Sequence, residues 1–119
     1  MTDYSSWTDE QVNEAIFKAK GYTKSRSAFD DEIMWLKPIE GEAYTFDCRY
    51  DLPDYTHDWR LCGELLEEMM PADVSLMYFK TLNKWGVDWV DNDGVEHQVV
   101  ADTPKRAICE AWLAWKEQG

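Results

Sequence analysis

The sequence predicts an α+β domain with the element order α-β-α-β-β-β-α. Apolar residues recur with helical spacing in three segments, one near each end of the chain and one in the middle. Between these segments apolar and polar residues alternate with a period of two, which is typical of strands with one buried face. The segment Asp91–Gly94 joins two alternating segments and favours a β-hairpin, because Asn, Asp and Gly tolerate positive φ. We therefore expect an antiparallel sheet of three to four strands and three helices.

A capping box marks the start of the first helix. Thr8 is a good N-cap, and Gln11, three residues later, completes the box. The apolar stripe that follows has 3.6-residue spacing. Gly21 ends the helix, because glycine readily adopts the positive φ of a helix C-terminus. The stripe consists of Val12, Ala15, Ile16 and Ala19.

Residues 22–42 are the loop-rich part of the chain. Residues 22–31 are polar and irregular, and we expect a loop there. The apolar run Ile33–Leu36 is short and is ended by Pro38, which favours an edge strand.

A strand with one buried face and one wet face is predicted for residues 43–50. Aromatic and apolar side chains alternate there with polar ones. The predicted buried face carries Tyr44, Phe46, Cys48 and Tyr50, and the predicted wet face carries Thr45, Asp47 and Arg49.

The second helix is predicted from Thr56 to Met70. Thr56 or Asp54 caps its start, and Pro71 ends it because proline cannot continue a helix. One side of this helix is apolar and the other is charged. The apolar side carries Trp59, Cys62, Leu65, Leu66, Met69 and Met70, and the charged side carries Arg60, Glu64, Glu67 and Glu68.

Three strands and a last helix complete the chain. The strands are predicted at residues 76–80, 84–90 and 95–100 and form an antiparallel meander. The helix begins at Thr103, and Pro104 occupies its first position, where proline is favoured. Its apolar stripe consists of Ala107, Ile108, Ala111, Trp112 and Trp115.

The length of 119 residues fits a single domain, residues 1–119, with a core at about residues 8–117. An odd number of cysteines (Cys48, Cys62 and Cys109) and the lack of a signal peptide predict reduced thiols in a cytosol. No apolar run approaches the ~18–20 residues that span a bilayer. We expect a cytoplasmic protein that is not bound to a membrane.

Acidic residues dominate the charge of the chain. There are 24 acids and 12 bases, so the net charge is −12, and half of the acids lie between Asp30 and Glu68. This charge excludes a generic nucleic-acid-binding protein, which needs a basic surface to displace counterions from phosphates. It favours a protein partner with a basic surface.

The spacing of potential ligands and nucleophiles predicts no metal site, cofactor or catalytic residue. There is no Cys-x-x-Cys or His-x-x-x-His pair for zinc. There is also no glycine-rich phosphate loop, and no serine lies in a nucleophile motif.

Two segments resemble the phage ABA-sandwich domain family. One is Asp51-Leu-Pro-Asp-Tyr-Thr-His-Asp-Trp59, which leads into a helix that carries Glu67 and Glu68. The other is Ala101-Asp-Thr-Pro-Lys-Arg-Ala-Ile-Cys109, which leads into the last helix. The family consists of small bacteriophage and prophage proteins of largely unknown function. The resemblance covers residues 8–117 and implies helices on both faces of the sheet (an α/β/α sandwich), and it supplies no catalytic residues.

These observations lead to the hypothesis of a non-catalytic phage accessory protein in the host bacterial cytoplasm. It would bind a host or phage protein, and a specific version is an inhibitor of a nucleic-acid-handling defence system, of the anti-CRISPR or DNA-mimic type. The acidic side chains predicted to bind the partner are Asp30, Asp31, Glu32, Asp54, Asp58, Glu64, Glu67 and Glu68.

Two alternatives remain open from the sequence. One is a small enzyme or ligand-binding domain with an aromatic pocket near Trp59, Trp85, Trp89 and His97. The other is a homodimer that buries surplus aromatic side chains and has no function for the acidic face.

Overall fold

The computed structural model describes residues 2–29, 31–70 and 72–118. It confirms the α+β class, and the three helices take the predicted places along the chain. Three strands precede the second helix and three follow it, in two separate antiparallel sheets with the orders β1-β2-β3 and β4-β5-β6. The elements are α1 (Asp9–Ala19), β1 (Thr23–Arg26), β2 (Ile33–Pro38), β3 (Phe46–Arg49), α2 (Trp59–Met69), β4 (Asp73–Phe79), β5 (Lys84–Val90), β6 (Glu96–Ala101) and α3 (Pro104–Gln118).

Helix α3 is the centre of the fold. Every residue from Ala107 to Ala114 is buried, so the helix is enclosed on all sides over two turns. It packs against β5 and β6 on one side, while α1 and α2 pack against α3. The layers therefore run from the second sheet to α3 and then to the outer helices, and the α/β/α layering that the resemblance implies is not confirmed.

The main core fills the space around α3. Trp112 and Ile108 of α3 are fully buried, as are Val87 of β5 and Leu65 of α2, and Trp89 is 1 % exposed. Burying a side chain of this size contributes about 1.5–3 kcal/mol. Most of the apolar side chains predicted for the helix stripes meet in this core, together with Val87 and Trp89 of β5, whereas Ala19 is exposed.

The predicted capping box of α1 is present. The Gln11 N–H donates to Thr8 Oγ1 at 3.1 Å, and the Thr8 N–H donates to Gln11 Oε1 at 2.8 Å. Gly21 follows the helix with φ of 104°, the left-handed region that glycine adopts without strain.

The start and the apolar side of α2 differ from the prediction. Asp58, rather than Thr56 or Asp54, is the N-cap, and its carboxylate accepts hydrogen bonds from the N–H groups of two first-turn residues. Trp59 and Met70 were predicted to be core residues but are 53 % and 70 % exposed. They lie at the two ends of the helix, beyond the stretch that packs on α3. Pro71 lies outside the described residues.

The second sheet is the predicted meander. The Gly94 N–H donates to the Asp91 carbonyl at 3.0 Å and closes the β5–β6 turn. His97 pairs across the strands with Trp89, and their rings stack at a centroid distance of 5.2 Å. His97 Nε2 lies 2.8 Å from Asp91 Oδ2, so this half-buried histidine has a hydrogen-bond partner.

The first sheet was only partly predicted. Residues 22–31, predicted as a loop, contain β1. The run at Ile33, predicted as an edge strand, is the central strand β2. The expected buried and wet faces of β3 are reversed, because Phe46 is 51 % exposed and Cys48 is also exposed, while Asp47 is half-buried. Among the described residues, the helices are all too short or too polar to cross a membrane.

We predict that Trp35→Ala detaches the first sheet without unfolding the main core. Trp35 is 2 % exposed and holds the sheet against α1, so its loss lowers local stability by about 3 kcal/mol. Hydrogen exchange should show faster exchange of the β1–β3 amides and unchanged protection in α3. The control is Leu36→Ala, which truncates the neighbouring side chain on the opposite face. Equal loss of protection in α3 and β2 would contradict the prediction.

Candidate protein-binding surface

One face of the first sheet is open to solvent, and we call it the outer face. Phe46 is half exposed on it, and Met34 and Leu36 are only half-buried. Cys48 Sγ lies 4.0 Å from Met34 Sδ, which places these two sulfur side chains on the same side. The outer face consists of Thr23 and Ser25 on β1, Met34, Leu36 and Pro38 on β2, and Phe46 and Cys48 on β3.

The opposite, inner face of this sheet packs on α1. The Trp35 ring meets the Phe17 ring edge-on at a centroid distance of 5.5 Å. Tyr22 stacks on the same Phe17 ring at 3.8 Å. Lys24 Nζ, on β1, forms an ion pair with Glu14 Oε1 of α1 at 3.0 Å. The sheet is therefore attached to the helices through a small aromatic cluster and one ion pair.

Polar contacts explain why β3 has its polar side turned inward. The Tyr22 hydroxyl donates to Asp47, and Arg49 Nε lies 3.3 Å from the same carboxylate. The hydrogen bond from Tyr22 and, after it, the Arg49 guanidinium lower the pKa of Asp47, although slight burial acts against them. Partial burial, followed by the bond to Asp47, raises the pKa of Tyr22. With Asp47 held in this way, Phe46 and Cys48 must point to solvent, because neighbouring residues of a strand face opposite sides.

Further exposed apolar side chains lie next to these strands in the chain. Tyr44 is 98 % exposed two residues before β3, with φ of 60°. Phe29 is 100 % exposed in the β1–β2 turn, and Ile39 and Tyr50 directly follow β2 and β3. A concentration of exposed apolar groups on one small sheet marks an interaction surface more often than chance exposure does.

The two turns that close the first sheet are acidic. Asp31 and Glu32 lie between β1 and β2, Glu40 and Glu42 lie between β2 and β3, and all four are exposed. Asp31 pairs with Arg26 at 3.0 Å, but both side chains are exposed, so the pair adds little stability. We call these four acids the acidic rim.

The acids that the sequence analysis singled out fall on two parts of the structure. Asp31 and Glu32 belong to the acidic rim, and Asp30 lies outside the described residues. The remaining five are on α2 or on the segment that enters it. These are Asp54, Asp58, Glu64, Glu67 and Glu68.

Asp54 has a structural function. Its carboxylate accepts a hydrogen bond from Asn13 Nδ2 at 3.0 Å and another from Thr56 Oγ1 at 2.9 Å, and His57 Nδ1 lies 3.0 Å away. Although partial burial acts to raise the pKa of Asp54, the bonds from His57, Asn13 and Thr56 lower it. The group fixes the approach to α2 against α1, and Asp58 then caps the helix.

The acids on the charged side of α2 differ in their function. Glu68 accepts hydrogen bonds from Lys20 Nζ at 2.8 Å and from the buried indole N–H of Trp112 at 2.6 Å. Partial burial acts to raise the pKa of Glu68, but these two bonds lower it. Glu64 and Glu67 are exposed, and neither carboxylate forms a hydrogen bond or ion pair with another described residue. They are the acids of α2 that remain available to a partner.

The two segments that carry the family resemblance lie side by side. The Cys62 thiol donates to the Tyr55 carbonyl at 3.0 Å, and the Lys105 carbonyl is 3.8 Å from the same sulfur. Lys105 Nζ lies over the exposed Trp59 ring, 5.2 Å from its centroid. Together the segments border a cleft of about 550 Å³, which His57 also lines.

Arg106 lines that cleft and holds the N-terminal segment against the start of α3. Its guanidinium donates to Asp9 at 2.7 Å and to Glu110 at 2.8 Å, and to the carbonyls of Tyr4 and Trp7 at 2.8 and 2.7 Å. Burial raises the pKa of Glu110, and the neighbouring Arg106 acts against that rise. These donors and acceptors satisfy one another. Here the two segments that carry the family resemblance therefore have a structural function.

The aromatic pocket of the alternative hypothesis is not assembled. Trp59 lines the cleft at the start of α3, whereas Trp89 and His97 line a shallow depression on the second sheet. Trp85 instead packs against Tyr78 at a centroid distance of 5.1 Å. The four predicted residues therefore belong to three separate environments.

Comparison with known proteins identifies the fold and no family. Neither a protein-family model nor a curated protein sequence matches the chain, so the resemblance to the phage ABA-sandwich family is not confirmed. The chain is similar to the 2.0 Å crystal structure of a phage protein from Bacillus cereus ATCC 14579, with a TM-score of 0.63 and 19 % sequence identity. The match covers 100 % of this chain and 95 % of that protein, so the similarity of fold is not confined to one part of either chain.

We predict that Glu68→Gln lowers stability at neutral pH and that the loss disappears in acid. The folded-state pKa of Glu68 lies below its ordinary value of 4.5, so its contribution is present above that pH and is lost as the pH falls through the folded pKa. The group is partly exposed, so the effect at pH 7 is below about 1 kcal/mol. Thermal melts between pH 7 and pH 3 test this, with Glu67→Gln as the control. A difference between the two variants that persists at pH 3 would contradict it.

We predict that Arg106→Gln lowers the free energy of unfolding by about 3–5 kcal/mol, because Glu110 is left buried without its charged partner. Urea unfolding provides the measurement. The double variant Arg106→Met/Glu110→Met removes both charges and should be less destabilised than Arg106→Gln. If the single variant lowers the free energy of unfolding by less than about 1 kcal/mol, the Arg106 network does not stabilise the fold.

Proposed function

We propose that this chain is a non-catalytic accessory protein of a phage that acts in the host cytoplasm by binding another protein. The observation that carries the proposal is the open outer face of the first sheet. The similarity of the fold to that of a phage protein agrees with a phage origin. The strands of the first sheet make their main contacts with one another, and the chain is elongated, measuring 53 × 29 × 25 Å. The outer face is thus accessible to a partner.

An open apolar sheet face is a liability unless something covers it. It exposes apolar area that favours association, and the edge strands β1 and β3 offer unpaired backbone groups to other chains. A bound partner removes this risk of unwanted association, because it covers the apolar area and the strand edges. The inner face is held by Trp35 and Asp47, so the sheet is fixed before the partner arrives and little ordering entropy is lost on binding.

The charge around this face selects the partner. The acidic rim lies in the two turns at the ends of the apolar outer face, and the chain as a whole has a net charge of −12. A partner segment with apolar side chains and flanking Lys or Arg fits both features. A second copy of the chain would bring two acidic rims together, which electrostatic repulsion disfavours.

A nucleic-acid-handling protein is the specific class of partner that we favour. Such proteins have basic grooves, and an acidic, phage-type protein that occupies one acts as an inhibitor of the anti-CRISPR or DNA-mimic type. Glu64 and Glu67 on α2, together with the exposed acidic rim, supply the negative charge for this contact. Asp54, Asp58 and Glu68 contribute structure, so we assign them no direct contact with the partner.

We predict that Phe46→Glu abolishes partner binding and leaves the thermal midpoint within about 3 °C of the wild type. The matched control is Leu82→Glu, which changes an exposed apolar side chain in the β4–β5 turn by the same charge (Leu82 is 59 % exposed). A photo-crosslinking residue at position 48 identifies the partner in host lysate. The identified protein is then purified, and its affinity is measured for the wild type, Phe46→Glu and Leu82→Glu.

The outcomes separate the proposal from its alternatives. Binding lost in Phe46→Glu and kept in Leu82→Glu, to a basic protein whose affinity falls with salt, supports it. Further weakening by Glu64→Gln/Glu67→Gln supports the mimic class, and no effect from that pair would overturn it. A crosslink between two copies of this chain, with a dimer by light scattering, would replace the proposal with the homodimer.

A further inference from the structure

A second cleft, of about 600 Å³, lies between the first sheet and the helices α2 and α3. Its lining is basic, although the chain is strongly acidic. Five basic and three acidic side chains line it, which gives a local charge of +2 in a chain of net −12. The bases are Lys20, Lys37, Arg49, Arg60 and Lys116, and the acids are Asp51, Glu64 and Glu68.

Three of these cations lie outside the ion pairs formed among the described residues. Lys20 is paired with Glu68, and Arg49 is held by an acid of its own strand. Lys37, Arg60 and Lys116 form no ion pair with the described residues. A multiply charged anion that entered the cleft would meet cations on the sheet, on α2 and on α3.

Aromatic rings hold several of these cations in place. Lys20 Nζ and Lys116 Nζ lie over the buried Trp112 ring, at 5.3 and 5.6 Å from its centroid. Lys37 Nζ lies 5.7 Å over the Tyr22 ring. Ammonium groups over rings at these distances are stabilised by the ring quadrupole. The charges are therefore partly ordered before any ligand binds, which lowers the entropy cost of binding one.

We propose that this cleft binds a small molecule with two or more phosphate groups, of the nucleoside diphosphate class. Arg49 and Arg60 supply planar guanidinium groups, which bind phosphate oxygens bidentately, and the lysines supply point charges. The carboxylates of Asp51 and Glu64 accept hydrogen bonds from hydroxyl or amino groups on the rest of the ligand. The volume lies within the range of small-molecule sites. This site is distinct from the outer face and shares only Glu64 with the surface proposed for the protein partner.

Isothermal titration calorimetry of the full chain at about 0.1 M salt tests the proposal, with ADP, inorganic pyrophosphate and citrate as probes. ADP should bind more tightly than pyrophosphate, and citrate should bind at least about tenfold more weakly than either. Lys37→Gln/Arg60→Gln should weaken ADP binding by about tenfold or more. The matched control, Lys18→Gln/Lys80→Gln, removes two exposed charges outside the cleft. Circular dichroism verifies that both variants are folded.

Each result has a defined meaning. Loss of ADP binding in the cleft pair, with binding kept in the control pair, supports the proposal. No heat with ADP or pyrophosphate overturns it, and so does an equal loss in both variant pairs, which would indicate general electrostatic attraction. Citrate binding as tight as that of ADP would overturn the phosphate class.

Discussion

The fold depends on the complete burial of α3 between the second sheet and the outer helices. A helix of fifteen residues that is enclosed over Ala107–Ala114 must be shielded on one side by β5 and β6 and on the others by α1 and α2. The buried indole N–H of Trp112 needs an acceptor, and Glu68 provides it. Arg106 likewise ties the first residues of the chain to the start of α3. Packing around one helix thus brings together segments that are about a hundred residues apart in the chain.

The first sheet lies largely outside this arrangement, and this explains its different character. It is attached to α1 by Trp35 and by a few polar contacts, and it is too small to have a core of its own. One of its faces consequently remains open. A sheet that is held on one side and open on the other is well suited to bind a partner, because the partner supplies the missing layer.

The negative charge of the chain serves more than one purpose. Several acids near α2 act inside the fold as cap, turn or hydrogen-bond acceptors, and others remain at the surface. The folding that uses Glu68 as an acceptor also gathers Lys20 and Lys116 around the same indole. A basic cleft therefore arises within an acidic protein, which the net charge alone does not reveal.

The sequence by itself determined the α+β class, the three helices, the second sheet and the apolar stripes, because local capping, turn chemistry and periodicity specify these features. It did not determine which face of β3 is covered, since a period-two pattern places Phe46 and Asp47 on opposite faces without specifying which one meets α1. Nor did it specify that Trp59 lies beyond the helix packing or that the predicted pocket residues stay apart. Only the tertiary structure decided these points, because they depend on contacts between distant elements. The basic cleft was missed for the same reason: its cations are scattered from residue 20 to residue 116.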